Sequence, residues 1–164
     1  IVLHGRQRLD VPEGTWDDFR RLLLARRIGP EAIESLYAVV QCRVSGGCRL
    51  RDDELVHTLL EVIRANPRNP IVHTMYANVA WNVLGDRDLA LAMQREAVEL
   101  SRDPTTAKLG LAEFLFSTNR PEARREALAL LEDLRRPPRT QSVLEAIARL
   151  EARYAAPETT EHAL

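Results

Sequence analysis

This chain of 164 residues has no long apolar run, few aromatic side chains and no marked excess of charge of either sign. No stretch approaches the roughly 20 apolar residues that a membrane-spanning helix needs, and no apolar core of a secretory signal is present. Aromatic residues make up 5% of the chain and the formal net charge is −1, which argues against a nucleic-acid-binding surface. Because the chain begins at Ile1 and not at a methionine, we expect it to be a piece of a longer protein.

Motifs of catalysis and of metal binding are lacking as well. The sequence has no G-x-S-x-G nucleophile motif and no glycine-rich phosphate loop, and the acidic pair Asp52-Asp53 stands where negative charge stabilises the start of a helix. His57 and His73 do not share a zinc-ligand spacing with the cysteines. We therefore predict no catalytic residue, no metal site and no cofactor, and we interpret both histidines as surface or groove residues.

Cysteine occurs twice, at Cys42 and Cys48, on either side of a Ser-Gly-Gly turn. Such a turn can bring two α-carbons within the roughly 4.4 to 6.8 Å that a disulfide needs, so we predict a bridge that ties the end of one helix to the next segment. The alternative is a pair of reduced thiols, one of them buried. A disulfide would indicate a location outside the reducing cytoplasm.

Charge is distributed with a mild asymmetry. Residues 1–51 carry nine Arg against six acidic residues, a balance of +3, and the remainder carries 14 basic against 18 acidic residues, a balance of −4. A solvated helix surface explains so small a difference. A weak attraction of the first third of the chain to an anionic membrane surface or a glycan is the alternative.

The chain does contain helical periodicity, and its 45% of hydrophobic residues are enough for a continuous core. We predict an extended arm over residues 1–14, one all-α domain over residues 15–154 and a frayed polar tail over residues 155–164. About eight helices are expected from the breaks that glycine, proline and asparagine introduce. These breaks are Gly29-Pro30, Gly46-Gly47, Asn66-Pro67, Gly85-Asp86, Pro104, Asn119 and Pro137-Pro138.

The clearest pattern lies between Pro70 and Pro104, where two helical stripes flank a single Gly-Asp turn. The first stripe is Ala77, Trp81 and Leu84, and the second is Ala90, Met93, Ala97 and Leu100. Small residues on both stripes allow the helices to approach closely, and the indole of Trp81 fills the space beside them. The segment therefore predicts a helical hairpin in which the two stripes face each other.

This hairpin has the residue types of a known repeat at the matching positions. Trp81, Gly85, Ala90, Ala97 and Pro104 stand where a tetratricopeptide repeat has its aromatic residue, turn glycine, two alanines and following proline. The segment thus resembles a tetratricopeptide repeat. The resemblance implies antiparallel helix pairs that form a short right-handed superhelix, with a capping helix over residues 140–154.

A shift of 34 residues extends the resemblance to a second, degenerate copy. It places Trp81 over Leu115 and Gly85 over Asn119. Beyond that point the pattern slips by three residues, and we expect the connection Asn119–Arg125 to absorb the extra length.

In this family the outward positions of the first helices line an inner groove that binds a ligand. The corresponding positions here are Val72, Met75, Tyr76, Val79, Asn82, Val83, Leu109, Glu113 and Phe116. So apolar a groove either receives a protein or peptide partner or is covered by the N-terminal arm or the first helix. It contains no lysine, which argues against the carboxylate clamp that some members use.

A second resemblance concerns the cellular setting. The residues that carry it are Gln41, Cys42, Cys48, Leu50, Ala65–Pro67, Gly85, Asp86 and Pro104. Their arrangement is similar to that in soluble C-terminal domains of bacterial membrane glycosyltransferases and O-antigen polymerase-like proteins. It implies a non-catalytic, extracytoplasmic interaction module of the cell envelope. The alternatives are a cytoplasmic adaptor of the same fold and an accessory part of a transferase or hydrolase site.

Overall fold

The computed structural model describes Leu36, Val39, Val40, Arg43 and residues 51–136 and 139–154. Helices account for most of this part, and no strand occurs in it. They are α1 (Asp52–Ala65), α2 (Pro70–Val79), a π-helix that continues α2 (Ala80–Leu84), α3 (Arg87–Leu100), α4 (Thr105–Ser117), α5 (Pro121–Leu134) and α6 (Gln141–Tyr154). The all-α prediction is confirmed for these residues. The predicted arm, first helix, disulfide and tail lie outside them.

The chain divides into two compact units, Ile1–Arg102 and Asp103–Leu164. The first unit contains α1, α2, the π-helix and α3, and the second contains α4, α5 and α6. Their boundary falls in the connection between α3 and α4, inside the single helical domain predicted for residues 15–154.

The core of the first unit lies where α1 packs on α2. On α1 the buried side chains of Leu55, Leu59 and Val62 follow the three-and-four spacing of an amphipathic helix. The core cluster also takes in side chains from α2 and from two helical residues earlier in the chain. Its members are Leu36, Val40, Leu55, Leu59, Val62, Val72, Met75, Tyr76 and Val79.

The predicted hairpin of α2 and α3 is present in the structure, and its small residues lie inside it. Ala77, Ala90 and Ala97 are all 0% exposed, which is consistent with the close helix packing that small side chains permit. The start of α3 is capped by Asp86, whose Oδ1 accepts a hydrogen bond of 3.0 Å from the Leu89 amide.

The π-helix is not predicted by the periodic pattern, and it changes which residues of the first stripe are buried. Trp81 is half-buried and Leu84 is 42% exposed, so the predicted burial of Leu84 is wrong. A π-helical turn takes up about one residue more than an α-helical turn, and one extra residue rotates the following side chains by about 100°. The backbone amides of Gly85 and Asp86 both donate hydrogen bonds to the carbonyl of Ala80.

The second unit is built on the hairpin of α4 and α5, with α6 packed against α4. Asn119 lies in the short connection that follows α4 and adopts a left-handed backbone with φ 55°. Pro121 is the first residue of α5. Because proline suits that position, α5 begins earlier than predicted. The prediction of a long connection over Asn119–Arg125 is therefore wrong, since Arg124 and Arg125 already lie within α5.

Burial patterns recur from one helix pair to the next. Five buried positions of α2 and the π-helix correspond to buried positions of α4 that come 35 residues later. These pairs are Val72 and Ala107, Tyr76 and Leu111, Ala77 and Ala112, Val79 and Phe114, and Ala80 and Leu115. The predicted alignment of Trp81 with Leu115 is thus displaced by one residue.

The same spacing relates α1 to α3. Their shared buried stripe consists of Leu55 and Ala90, Leu59 and Gln94, and Val62 and Ala97. At the turn that follows the π-helix, Gly85 with φ 69° corresponds to Asn119 with φ 55°, which comes 34 residues later. The segment from Pro70 to the residue before Gly85 has fifteen residues, whereas the segment from Thr105 to the residue before Asn119 has fourteen. The π-helix therefore accommodates one additional residue.

Candidate functional site

The predicted groove residues of α2 are core residues in the structure. Val72 and Val79 are 0% exposed, Met75 is 1% exposed and Tyr76 is 7% exposed. Val83 is partly buried and packs on the same cluster. The prediction that these side chains line an open groove is wrong, because α1 together with Leu36 and Val40 packs over them. Among the described residues, α1, Leu36 and Val40 cover this apolar strip, and the arm and the first predicted helix lie outside the described residues.

In the second unit, the three predicted groove residues are engaged by α6 or are half-buried. Phe116 is 5% exposed and stacks on Tyr154 with ring centroids 5.2 Å apart. Glu113 forms an ion pair with Arg153 at 2.9 Å, and Leu109 is half-buried. Phe116 is thus a packing residue and not an open contact.

The solvent-facing side of α2 carries a row of polar residues at helical spacing. Thr74 and Asn78 are half-buried and Asn82, in the π-helix, is exposed. Asn78 Nδ2 donates to the Thr74 carbonyl at 2.9 Å, and Asn82 Nδ2 donates to the Asn78 carbonyl at 2.9 Å. These bonds orient the two carboxamides on one side of the helix and use one of the hydrogens on each Nδ2. We call Thr74, Asn78 and Asn82 the polar face of α2.

Of these three residues, only Asn82 is among the predicted groove residues. Thr74 and Asn78 were missed because the apolar neighbours at Met75 and Val79 were assigned to solvent. The signal that could have found them is the spacing of polar residues at positions 74, 78 and 82, which marks the solvent side of an otherwise apolar helix.

Burial and a nearby carboxylate both act on the Tyr76 hydroxyl. Burial raises the pKa of Tyr76 above its ordinary value, and the negative charge of Asp86 raises that pKa further. A neutral phenol can donate a hydrogen bond as well as accept one. The neutral form is therefore favoured, which is consistent with the place of Tyr76 in the core cluster.

His73 was interpreted as a surface or groove histidine, and this interpretation is wrong. Its side chain is 5% exposed and its Nε2 lies 3.0 Å from the Pro67 carbonyl. Because a carbonyl oxygen accepts only, Nε2 carries the hydrogen in this contact, so His73 ties the start of α2 to the preceding loop. His57 agrees with its predicted surface location and pairs with Glu61 at 3.3 Å.

Groups of metal-ligating side chains and membrane-spanning helices are both absent from the part of the chain that the structure describes. Within residues 51–136 and 139–154 and the four earlier residues, no three His, Cys, Asp or Glu side chains are grouped to hold a metal ion. None of the described helices is both long enough and apolar enough to cross a bilayer. Cys42 and Cys48 lie outside the described residues.

Comparison with known proteins adds no assignment. No protein-family model, curated protein or solved structure matches the chain. The function proposed below is therefore supported by the sequence pattern and by the geometry of the described helices.

Proposed function

We propose that this chain is a non-catalytic protein-interaction domain built from tetratricopeptide-like helix pairs. The observation that supports it best is the recurring burial pattern, in which Val72, Ala77 and Ala80 of one pair correspond to Ala107, Ala112 and Leu115 of the next. This recurrence is at 35 residues, one more than the 34-residue period of this repeat family, and the π-helix accommodates the additional residue. On this proposal α1 is the second helix of an earlier pair, since it shares its buried stripe with α3.

We place the domain, as part of the same proposal, in an extracytoplasmic module of a bacterial membrane protein that assembles surface polysaccharide. The pattern around Gln41, Cys42 and Cys48 supports this setting through its resemblance to domains attached to membrane glycosyltransferases. Gly85 and Asp86 belong to that pattern, and both have a structural role. Gly85 has the left-handed φ of 69°, and Asp86 caps α3.

The polar face of α2 is the surface that we propose for partner binding in the first unit. Asn78 and Asn82 each have an Oδ1 acceptor and a second Nδ2 hydrogen beyond their bonds to the helix. Carboxamides spaced one turn apart can pair with the N–H and C=O groups of an extended peptide backbone. A partner recognised in this way is a protein segment without a regular helix of its own, because a helix would already have used its backbone groups.

A selection from a random peptide library displayed on phage tests this proposal with the full chain as bait. The enriched peptides are then measured against the double variant Asn78→Ala/Asn82→Ala by fluorescence anisotropy. We expect at least tenfold weaker binding by the variant, because both carboxamide pairs are lost. Glu99→Ala, on the exposed side of α3, serves as the matched control and should bind like the parent chain.

Circular dichroism and the midpoint of denaturation should change little in the double variant. Asn82 is exposed, where substitutions shift stability by less than about 0.5 kcal/mol, and the half-buried Asn78 bonds to a carbonyl of its own helix. Equal affinity of the parent chain and the double variant for the selected peptides would refute the assignment of this face. A selection that enriches no peptide at all would contradict the protein-interaction function itself.

A further inference from the structure

The attachment of α6 to the second unit depends on few apolar contacts. All fourteen residues of α6 are described, and Ile147, 1% exposed, is its one buried side chain. Val143, Leu150 and Tyr154 on the same side are half-buried. By contrast, α4 buries six side chains. Helices that bury little apolar area are the segments of a protein that open most easily.

Ion pairs join the C-terminal half of α6 to the rest of the second unit. Arg135 Nη2 lies 2.6 Å from both carboxylate oxygens of Glu151, and Arg153 lies 2.9 Å from Glu113. The side chains in these pairs are 34% to 66% exposed. Exposed pairs are screened by salt, so their contribution to docking falls as ionic strength rises.

An aromatic stack gives the contact its specificity. The rings of Phe116 and Tyr154 are nearly parallel at 12°, and the Arg124 guanidinium lies 5.9 Å from the Phe116 centroid on this stack. The Tyr154 hydroxyl forms a 2.8 Å hydrogen bond with Ser117 Oγ, and Arg124 Nη1 donates to the Tyr154 carbonyl at 2.9 Å. We call Glu113, Phe116, Ser117, Arg124 and Arg135 the α6 seat.

We propose that the α6 seat is an exchangeable binding site for an amphipathic helix and that its second occupant is α6 of another copy of this chain. The chemistry of the occupant follows from the seat. An apolar side chain must fill the place of Ile147, an aromatic ring must stack on Phe116, and acidic and basic groups must face Arg135 and Glu113. Every copy of the chain carries a helix with this pattern, at matching charge and spacing.

The covalent connection decides which α6 occupies the seat at low protein concentration. Six residues join α5 to α6, with the sequence RRPPRT. A connection this short holds α6 near its own seat at an effective concentration in the millimolar range, so exchange needs a high protein concentration or partial unfolding. This inference goes beyond the function proposed for α2 and does not depend on it.

A labelled peptide of residues 139–154 tests whether the seat accepts a helix from solution. The full chain with Ile147→Asp has a seat whose own α6 no longer fits, because a carboxylate replaces the buried side chain. Fluorescence anisotropy should show the peptide binding to this variant at least tenfold more tightly than to the parent chain, whose own α6 competes. A peptide with the same Ile147→Asp change is the control and should bind neither chain.

Salt and chain exchange give two further readouts. Raising NaCl from 50 mM to 500 mM should weaken peptide binding several-fold, because the pairs of Glu151 and Arg153 are screened. The full-length parent chain, concentrated and cooled slowly from partial unfolding, should yield a dimer by light scattering, and Ile147→Asp should remain a monomer.

The proposal fails if the peptide binds neither the parent chain nor a folded Ile147→Asp variant. Should Ile147→Asp unfold the second unit by circular dichroism, Ile147→Ala replaces it, since the smaller side chain weakens the docking of the chain's own α6 without burying a charge. No peptide binding to that folded variant would refute the exchangeable seat as well. Peptide binding without any dimer of the parent chain would refute a second copy as the occupant.

Discussion

Replacement of Val79 separates a core position from a groove position. Val79 is 0% exposed and belongs to the cluster that α1 covers. Val79→Ala removes two buried carbon groups at about 0.8 kcal/mol each and leaves a cavity, so we expect the free energy of unfolding to fall by about 2 to 3 kcal/mol. Val79→Asp places an unpaired carboxylate in the same cluster, which should cost more than about 4 kcal/mol.

Chemical denaturation followed by circular dichroism at 222 nm measures these losses. A small domain has a total stability of about 5 to 15 kcal/mol, so Val79→Asp should unfold much of the first unit before denaturant is added. Asn82→Ala, three residues along the same chain but exposed, is the matched control and should change stability by less than about 0.5 kcal/mol. A folded Val79→Asp variant with unchanged helical content would refute the core assignment and restore the groove at this position.

Three further predictions concern the turn, the hairpin and the cysteines. Gly85→Ala should lower the free energy of unfolding by about 1 kcal/mol because the φ of this residue is 69°, although an added Cβ would meet nothing within 4 Å. Gly85→Asn should be nearly neutral, since asparagine tolerates positive φ. Equal losses for the two variants in denaturation would contradict a purely backbone cause. Ala97→Leu should overpack the α2–α3 contact and lower the free energy of unfolding by about 1 to 3 kcal/mol. The exposed control Glu99→Ala should lower it by less than about 0.5 kcal/mol. Similar denaturation midpoints for the two variants would mean that the helical register is wrong. We expect Cys42 and Cys48 to resist alkylation without reductant, and mass spectrometry that finds two labelled thiols in oxidatively produced protein would remove the main support for an extracytoplasmic setting.

Local signals explain the parts of the fold that were predictable. Ala77, Ala90 and Ala97 repeat at helical spacing on either side of a Gly-Asp turn, and periodicity of this kind shows directly which side of a helix packs on its neighbour. The turn residues Gly85 and Asn119 were aligned in advance, and both have left-handed backbones, because glycine and asparagine tolerate positive φ better than other residues.

The candidate site was harder to predict because α2 is apolar on most of its circumference. Val72, Met75 and Val79 carry no local mark that distinguishes a residue facing a ligand from one facing another helix. That choice depends on α1 and on Leu36 and Val40, whose positions follow from packing across the chain. The same argument applies to Phe116, whose stacking partner Tyr154 comes 38 positions later.

The amino-acid sequence by itself determined the helical class, the hairpin over residues 70–104 and the turns that bound it, because capping, periodicity and backbone preference act over a few neighbouring residues. The tertiary structure alone decided three things: the burial of the α2 strip, the π-helix that absorbs one residue before Gly85, and the seat that holds α6. Each of these depends on which distant side chains share one space, and a periodic pattern carries no information about the identity of its partner.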